Sequence, residues 1–366
     1  MRVLEIAASL KIGGAEKIAR DIGYYSNSDF YQIDYVVFGD EAGEYEKELQ
    51  KKGCNIYHLP QPSSNYTNYL KELYRLIKGN GYQAVHAHTM FNSGWAMFIA
   101  KICGVPIRIS HSHSVDDQPN KSHVQRLYEK VMQLIIVIFS THYVGCGVKA
   151  GEILFGKNLY HKKGVTILNG IDTKKFAYSE INREETRKNL ELSNNFVIGH
   201  VGHLANVKNQ SFLINLMPKI LEKNKKAKLL LLGEGEDRQK LEKQIVDLNL
   251  SSNIIMTGNV TDVHKYLSAM DVFVFPSLYE GMPLSVIEVQ TNGLPCVMSD
   301  RVPQDVVLTD LIKILSLKES ADVWVEVICN SKRSDSYRYE KEIKNLELDS
   351  EKMVNKISNL YCDKLI

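Results

Sequence analysis

The sequence predicts an α/β protein made of two successive, doubly wound parallel-sheet domains. Short apolar runs alternate with helix-length amphipathic segments, and this alternation pauses near residue 165 and restarts at Phe196. At 366 residues the chain is too long for one ordinary core and suits two.

In the first half, residues 3–7 read as a strand. Past the Gly13-Gly14 turn, Ala15, Ile18, Ala19 and Ile22 recur at helical spacing and give one apolar face. Strands follow at 33–38 and at 56–59, the second ending at Pro60. A helix at 69–77, a strand at 84–88, a helix at 94–103 and a strand at 107–111 come next. A long helical region then runs through Phe139, followed by a strand at 143–146 and a short helix to Phe155. The strand at 165–168 enters Asn169-Gly170-Ile171-Asp172, whose glycine can take the positive φ of a sharp redirection.

The second half reads as strands at 196–201, 228–232, 254–257, 272–275 and 296–299, with helices at 212–221, 238–248, 263–270 and 284–291. Domains are thus expected at 1–165 and 166–348. A last helix at about 349–366, striped by Met353, Ile357, Leu360 and Tyr361, is expected to pack back on the first. Residues 331–342 are rich in Lys, Glu and Ser and read equally as a solvated tail.

Composition narrows the function. Lys and Arg total 45 against 43 Asp and Glu, a balance that argues against a nucleic-acid partner. None of Cys54, Cys103, Cys146, Cys296, Cys329 and Cys362 falls in a CxxC pair, so buried free thiols are expected rather than disulfides or zinc ligands. The chain opens on a strand rather than a signal peptide. Its most apolar stretch, residues 131–139, falls well short of the roughly 20 residues that span a bilayer. A cytoplasmic protein is expected, with attachment at the membrane face left open; Lys71, Arg75 and Lys78 are candidates for such a contact, or simply a solvated face.

Four segments at the carboxyl ends of strands carry candidate chemistry, because open α/β sheets place ligands there. Gly13-Gly14 would let backbone approach a phosphate at a helix start, although a plain tight turn reads as well and the spacing is not that of a dinucleotide fingerprint. The stretch from His200 through Gly202 and His203 to Lys208 puts a cation where a diphosphate could use one. Residues 280–288 hold one carboxylate, Glu280, in a loop kept irregular by Gly281 and Pro283, and a second, Glu288, about one turn into a helix. A carboxylate suits the vicinal hydroxyls of a ribose or hexose, whereas complementing the helix dipole explains only part of the string. His111-Ser112-His113 lacks a third ligand at suggestive spacing and reads first as a polar loop, and no metal site is read from His86 and His88 on the preceding strand either.

Glu280-x7-Glu288, followed by Gly293-Leu294-Pro295-Cys296-Val297, closely resembles the EX7E motif of family 4 glycosyltransferases. Gly13-Gly14-Ala15-Glu16, residues 169–172, residues 202–208 and Gly233-Glu234-Gly235 extend the resemblance over nearly the whole chain. Ser299-Asp300 with Thr309-Asp310-Leu311 looks like bacterial capsular and exopolysaccharide transferases of that family.

The resemblance implies a GT-B architecture, two Rossmann-like domains facing a central cleft, and a retaining transferase. Its donor would be a nucleotide-diphosphate sugar, most simply a UDP-hexose or UDP-N-acetylhexosamine, and its acceptor a saccharide or lipid-linked oligosaccharide. It further implies that Glu288 holds the ribose and that Glu280, with the backbone of Gly281, Met282, Pro283 and Leu284, meets the donor sugar and diphosphate. Lys208 would neutralise the departing phosphates, His113 would approach the sugar near the reacting carbon, and Gly13 and Gly14 would sit near phosphates or acceptor. Gly258 and Val260 would line the base pocket. His203 stands where the family usually has arginine, so one neutral donor replaces a charged fork and the phosphate grip is weaker or pH-dependent. No cofactor and no metal are expected, since no Asp-x-Asp pair ends a strand and Lys208 fills the cationic role. A nucleotide-sugar 2-epimerase of the same architecture and a non-catalytic partner subunit are the alternatives.

Overall fold

The computed structural model describes residues 1–113, 122–333, 336–346 and 348–362. The chain forms two compact units. The first is Met1–Gly170 together with the closing helix Ser350–Cys362, and the second is Ile171–Asp349. The division falls inside the turn at residues 169–172, slightly past the expected residue 165.

The first unit carries a seven-stranded parallel sheet: β1 (Arg2–Ile6), β2 (Gln32–Phe38), β3 (Ile56–Leu59), β4 (Ala84–Ala87), β5 (Ile107–Ser112), β6 (His142–Gly145) and β7 (Gly164–Thr166). Its order is β3-β2-β1-β4-β5-β6-β7, so the winding reverses between β1 and β4. Leu4, Ile6, Val36, Val85 and Ala87 pack beneath helices bearing Leu73, Ile77, Met97 and Ala100. Helix starts are set locally: the side chains of Asn65 and Ser122 accept from the backbone N–H three residues on, at 3.0 and 3.2 Å. The helix Tyr66–Asn80 stops at Gly81, whose φ of 64° is open to glycine at little cost.

The second unit carries six parallel strands: β8 (Phe196–Val201), β9 (Ala227–Leu232), β10 (Ile254–Gly258), β11 (Val272–Phe275), β12 (Cys296–Ser299) and β13 (Ile312–Leu315), in the order β10-β9-β8-β11-β12-β13. Side chains alternate across this sheet. Ile198, Leu229, Leu231, Val272, Val274 and Val297 meet Leu213, Met217 and Trp324 on one face. On the other face Val197, Leu230, Leu232, Phe273, Phe275 and Met298 meet Leu267, Val286 and Val289. Both faces are therefore dry, which is why these strands read as continuous apolar runs. Each such side chain stabilises the fold by roughly 1.5–3 kcal/mol.

Three departures from the sequence reading matter. Strand β13 and the helices Glu180–Asn189 and Ala321–Asn330 add to the second unit. The segment 331–342 is not simply a solvated tail: it enters the helix Tyr337–Asn345, with Tyr339 and Ile343 buried. Just before it, Arg333 donates to the carbonyls of Leu267 and Met270 and to both oxygens of Asn292. All six cysteines are free, but burial holds only for Cys54, Cys146 and Cys296; Cys362 is exposed. Residues 334–335 and residues 363–366 of the expected closing helix lie outside the described residues.

Candidate active site

In the second unit the winding reverses between β8 and β11, the crevice position of an open sheet. The loops leaving those two strands are tied together. Leu278 N–H donates to Val207 O at 2.8 Å, and the Asn209 side chain donates to Pro276 O at 3.1 Å. Asn209 takes φ 57°, a left-handed conformation asparagine tolerates better than most residues. Beneath them His200 Nδ1 donates to Val274 O at 2.9 Å, and the Gln210 amide joins His200 to the carbonyl of His203.

This frame brings Lys208 to Glu280, with Nζ 2.7 Å from Oε1. The side chains are 20% and 10% exposed, and the ammonium stands 5.2 Å from the centre of the Phe275 ring. The pair leaves two ammonium donors and the carboxylate's second oxygen with capacity to spare. Glu288 is buried in the helix Leu284–Thr291, which starts at Pro283 without a side-chain cap. Met282 and Leu284 lean on the hydrophobic core of the unit. Val260 does likewise, after Gly258, which closes β10 at φ 75°. Gly202 N–H bonds Leu232 O at 3.0 Å. His203 turns outward instead of toward Lys208: its Nε2 meets exposed Glu236 at 2.8 Å.

In the first unit the reversal between β1 and β4 holds a buried polar cluster. Glu5 lies on β1, fully buried between Leu4 and Ile6. Its Oε2 is 2.7 Å from His88 Nε2, and its Oε1 accepts from the Tyr361 hydroxyl at 2.7 Å. His88 Nδ1 is 2.7 Å from His113 Nε2, and His86 joins Tyr361 at 3.0 Å and His111 at 3.2 Å. One ring nitrogen each of His86, His88 and His111 lies within 4.8 Å of the others, a spacing a cation could use. Both nitrogens of His86 and His88 are already engaged in hydrogen bonds, so the cluster is read as a hydrogen-bonded network. Gly13 and Gly14 follow β1; Gly13 is extended at φ −170° and the helix begins at Gly14. A Cβ on Gly14 would meet nothing within 4 Å.

Glu5 and Tyr361 were invisible to motif reading, as was the network joining His86 and His88 to them. The available signals were a lone Glu in the run Val3-Leu4-Glu5-Ile6 and two His-x-His pairs at the period that puts both rings on one sheet face.

Burial alone would raise the Glu5 carboxyl, but His86 and His88 at its oxygens bring it down to about 2. Burial, with His86 alongside, lowers His88 to about 4, and burial lowers His200 likewise to about 4. For these histidines the fold prefers the neutral ring, while the unfolded chain protonates near 6.5. Their contribution is therefore complete above pH 6.5 and lost as pH falls toward 4; that of Glu5 is complete above 4.5 and lost toward 2. Melting temperature should be level from pH 8 to 7 and fall steadily below about 6.5. A flat profile to pH 4 in a thermal-melt series would contradict these environments.

Comparison with known proteins places these features. Residues 182–330 match the family model described as glycosyl transferases group 1, and residues 13–142 match the glycosyl transferase 4-like domain. The chain is 31% identical over 368 residues to a putative glycosyltransferase, EpsF, of Bacillus subtilis, covering 98% of this chain and 96% of that one. It is 32% identical over 237 residues to the Escherichia coli UDP-Gal:α-D-GlcNAc-diphosphoundecaprenol α-1,3-galactosyltransferase, covering 63% of this chain and 61% of that one. Among solved structures, Anabaena HepE in complex with UDP-glucose superposes with a TM-score of 0.81 at 18% identity, covering 98% of each chain. The likeness to HepE shows a shared fold.

Proposed function

The chain belongs to the group 1 glycosyl transferases and is a glycosyltransferase of GT-B fold; from that premise we propose that it is a retaining enzyme that moves a hexose or N-acetylhexosamine from a UDP-sugar to a lipid-linked saccharide in capsular or exopolysaccharide synthesis. The observation that carries this is the Lys208–Glu280 pair at the reversal point of the second sheet. The UDP-glucose in HepE and the donor and acceptor named for the E. coli relative support the donor and acceptor classes.

In this reading Lys208 offsets charge on the leaving diphosphate. Glu280 and the backbone of residues 281–284 hold the donor sugar, Glu288 grips the ribose, and Gly258 and Val260 border the base. His113 meets a hydroxyl of the reacting sugars. Gly14 carries no side chain although its surroundings in the protein would admit one, which suits a ligand passing close to that backbone. The donor's β-phosphate takes the proton of the acceptor hydroxyl as that oxygen bonds the anomeric carbon on the face the diphosphate leaves. The protein supplies charge stabilisation at the leaving group, and the Lys208 ammonium serves where a metal otherwise would. With His203 held by Glu236, the phosphate grip falls chiefly to Lys208.

A lipid-linked acceptor requires a visit to the membrane surface. Among the described residues no helix is long and apolar enough to cross a membrane. The helix His123–Phe139, however, exposes Val124, Leu127, Val131, Leu134 and Ile138 at helical spacing, flanked by exposed Arg126 and Lys130. That is a better candidate for interfacial contact than Lys71, Arg75 and Lys78, of which Arg75 is paired with Glu72 at 2.8 Å.

The test is incubation with UDP-hexoses and a polyprenyl-diphosphate-linked saccharide in excess EDTA. Transfer should proceed, the new linkage keeping the donor's anomeric configuration. Inversion, epimerised donor without acceptor, or activity that vanishes with EDTA and returns with Mn²⁺ would each overturn the corresponding part.

A further inference from the structure

We propose that Glu5, acting through His88, holds His113 as its Nε2–H tautomer, so that the bare Nδ1 of His113 is offered as an acceptor to a substrate hydroxyl. This rests on the reading of His113 as a substrate-facing residue; Glu5 and His88 are positioning residues behind it.

The tautomers follow from donor and acceptor capacity. A carboxylate only accepts, so the 2.7 Å contact from Glu5 Oε2 requires the hydrogen to sit on His88 Nε2. A neutral imidazole has one N–H, which leaves His88 Nδ1 as an acceptor. Its partner at 2.7 Å is His113 Nε2, which must donate. That uses the one hydrogen of His113 and leaves Nδ1 a lone pair. This atom is screened from solvent and has no hydrogen-bond partner among the described residues.

The premises are secured by the surroundings. Glu5 is held ionised by the two histidines and by the Tyr361 hydroxyl at its other oxygen. Burial keeps His88 and His113 neutral. A parallel arm behaves the same way. Tyr361 gives its only hydrogen to Glu5, so His86 Nδ1 donates to the Tyr361 oxygen at 3.0 Å. His86 Nε2 then accepts from His111 Nδ1 at 3.2 Å, and His111 Nε2 also ends bare and unpartnered among the described residues. Every hydrogen in the network points toward Glu5, and every free lone pair points away from it. A buried acceptor without a donor is costly; such a group in a native fold calls for an explanation, and a ligand hydroxyl supplies one.

The test is Glu5→Gln, close to isosteric, in which Tyr361 can still donate to the amide oxygen. The new amide N–H₂ can donate to His88 Nε2, which lets the arm reverse and places a hydrogen on His113 Nδ1. In ¹⁵N-histidine-labelled protein, with His113 assigned by its loss in His113→Gln, the wild type should show Nε2 protonated and Nδ1 bare. Glu5→Gln should show the Nδ1–H form, with kcat reduced at least about tenfold and KM little changed. The corresponding carboxylate-to-amide change in a serine-protease triad lowers kcat about 10⁴-fold and sets the ceiling. UDP-sugar alone should shift the His113 Nδ1 resonance if the donor supplies the hydroxyl, and only added acceptor should do so otherwise. A protonated Nδ1 in the wild type, a tautomer or kcat unmoved in Glu5→Gln, or no shift with either substrate overturns the proposal. Unimpaired turnover by His113→Gln instead overturns the underlying placement of His113 at the substrate, whatever its tautomer.

Discussion

Lys208→Ala is expected to lower the transfer rate about 10²–10³-fold, the usual effect of removing one donor aimed at charge that develops in the transition state. The change should leave the second unit folded. The short turn Asn206–Lys208 is held by backbone bonds, Lys208 N–H to Ala205 O at 3.0 Å and Leu278 N–H to Val207 O at 2.8 Å, neither of which uses the lysine side chain. What is lost is the ammonium 2.7 Å from Glu280 and the cation over the Phe275 ring. Lys208→Met keeps most of the stem and should be as poor as alanine; Lys208→Arg should recover only part, because a planar fork replaces a compact point charge. Steady-state kcat and KM with a UDP-sugar, alongside circular-dichroism melts, separate a chemical role from a structural one. If Lys208→Met turned over normally, the ion pair would be merely an internal brace for the loop.

Arg333→Ala should destabilise the second unit by about 3 kcal/mol or more, since single hydrogen bonds to a charged group are worth about 1.5–3 kcal/mol. The guanidinium donates to Met270 O at 3.0 Å, Asn292 O at 2.9 Å, Leu267 O at 2.6 Å and Asn292 Oδ1 at 2.7 Å. The carbonyls of Leu267 and Met270 belong to the last turn and C-cap of the helix Val263–Ala269, where a cation is favoured. Burial brings the guanidinium down to about 9, so it is still charged at neutral pH. At roughly 2–4 °C per kcal/mol for a unit of this size, the calorimetric transition of the second unit should drop by about 6–12 °C. Lysine should not restore it, because its three rotatable donors cannot match a five-donor fork. A drop within about 1 °C would mean that water replaces these bonds without loss.

These two residues also mark how far sequence reading reached. The strands of the second unit were plain because a parallel strand covered on both faces is an unbroken apolar run, as in Val272–Phe275. Strand β13 was not: it lies at the sheet edge with Lys313 exposed and Ile314 partly so, and its pattern is diluted by solvent. Lys208 and Glu280 were each placed after the right strand. Their contact spans 72 positions and depends on β8 lying beside β11, which no local signal states. Arg333 read as one more charged residue in a polar stretch, because its acceptors are backbone carbonyls, which any sequence supplies. Glu5 was hidden by the reverse effect, a single charge inside a run whose apolar neighbours dominated the reading.

The closing helix Ser350–Cys362 sets an order of events during biosynthesis. Glu5 and the Tyr361 hydroxyl that bonds it are 356 positions apart, and Asp21 likewise waits for the hydroxyl of Ser350. At about 5–20 residues per second, the ribosome adds Tyr361 roughly 20–70 s after Glu5. When Tyr361 is added, every residue of the second unit has already been made, while the carboxylate of the first-made sheet still lacks one donor. The unit whose synthesis begins first is therefore the last to have all of its residues made.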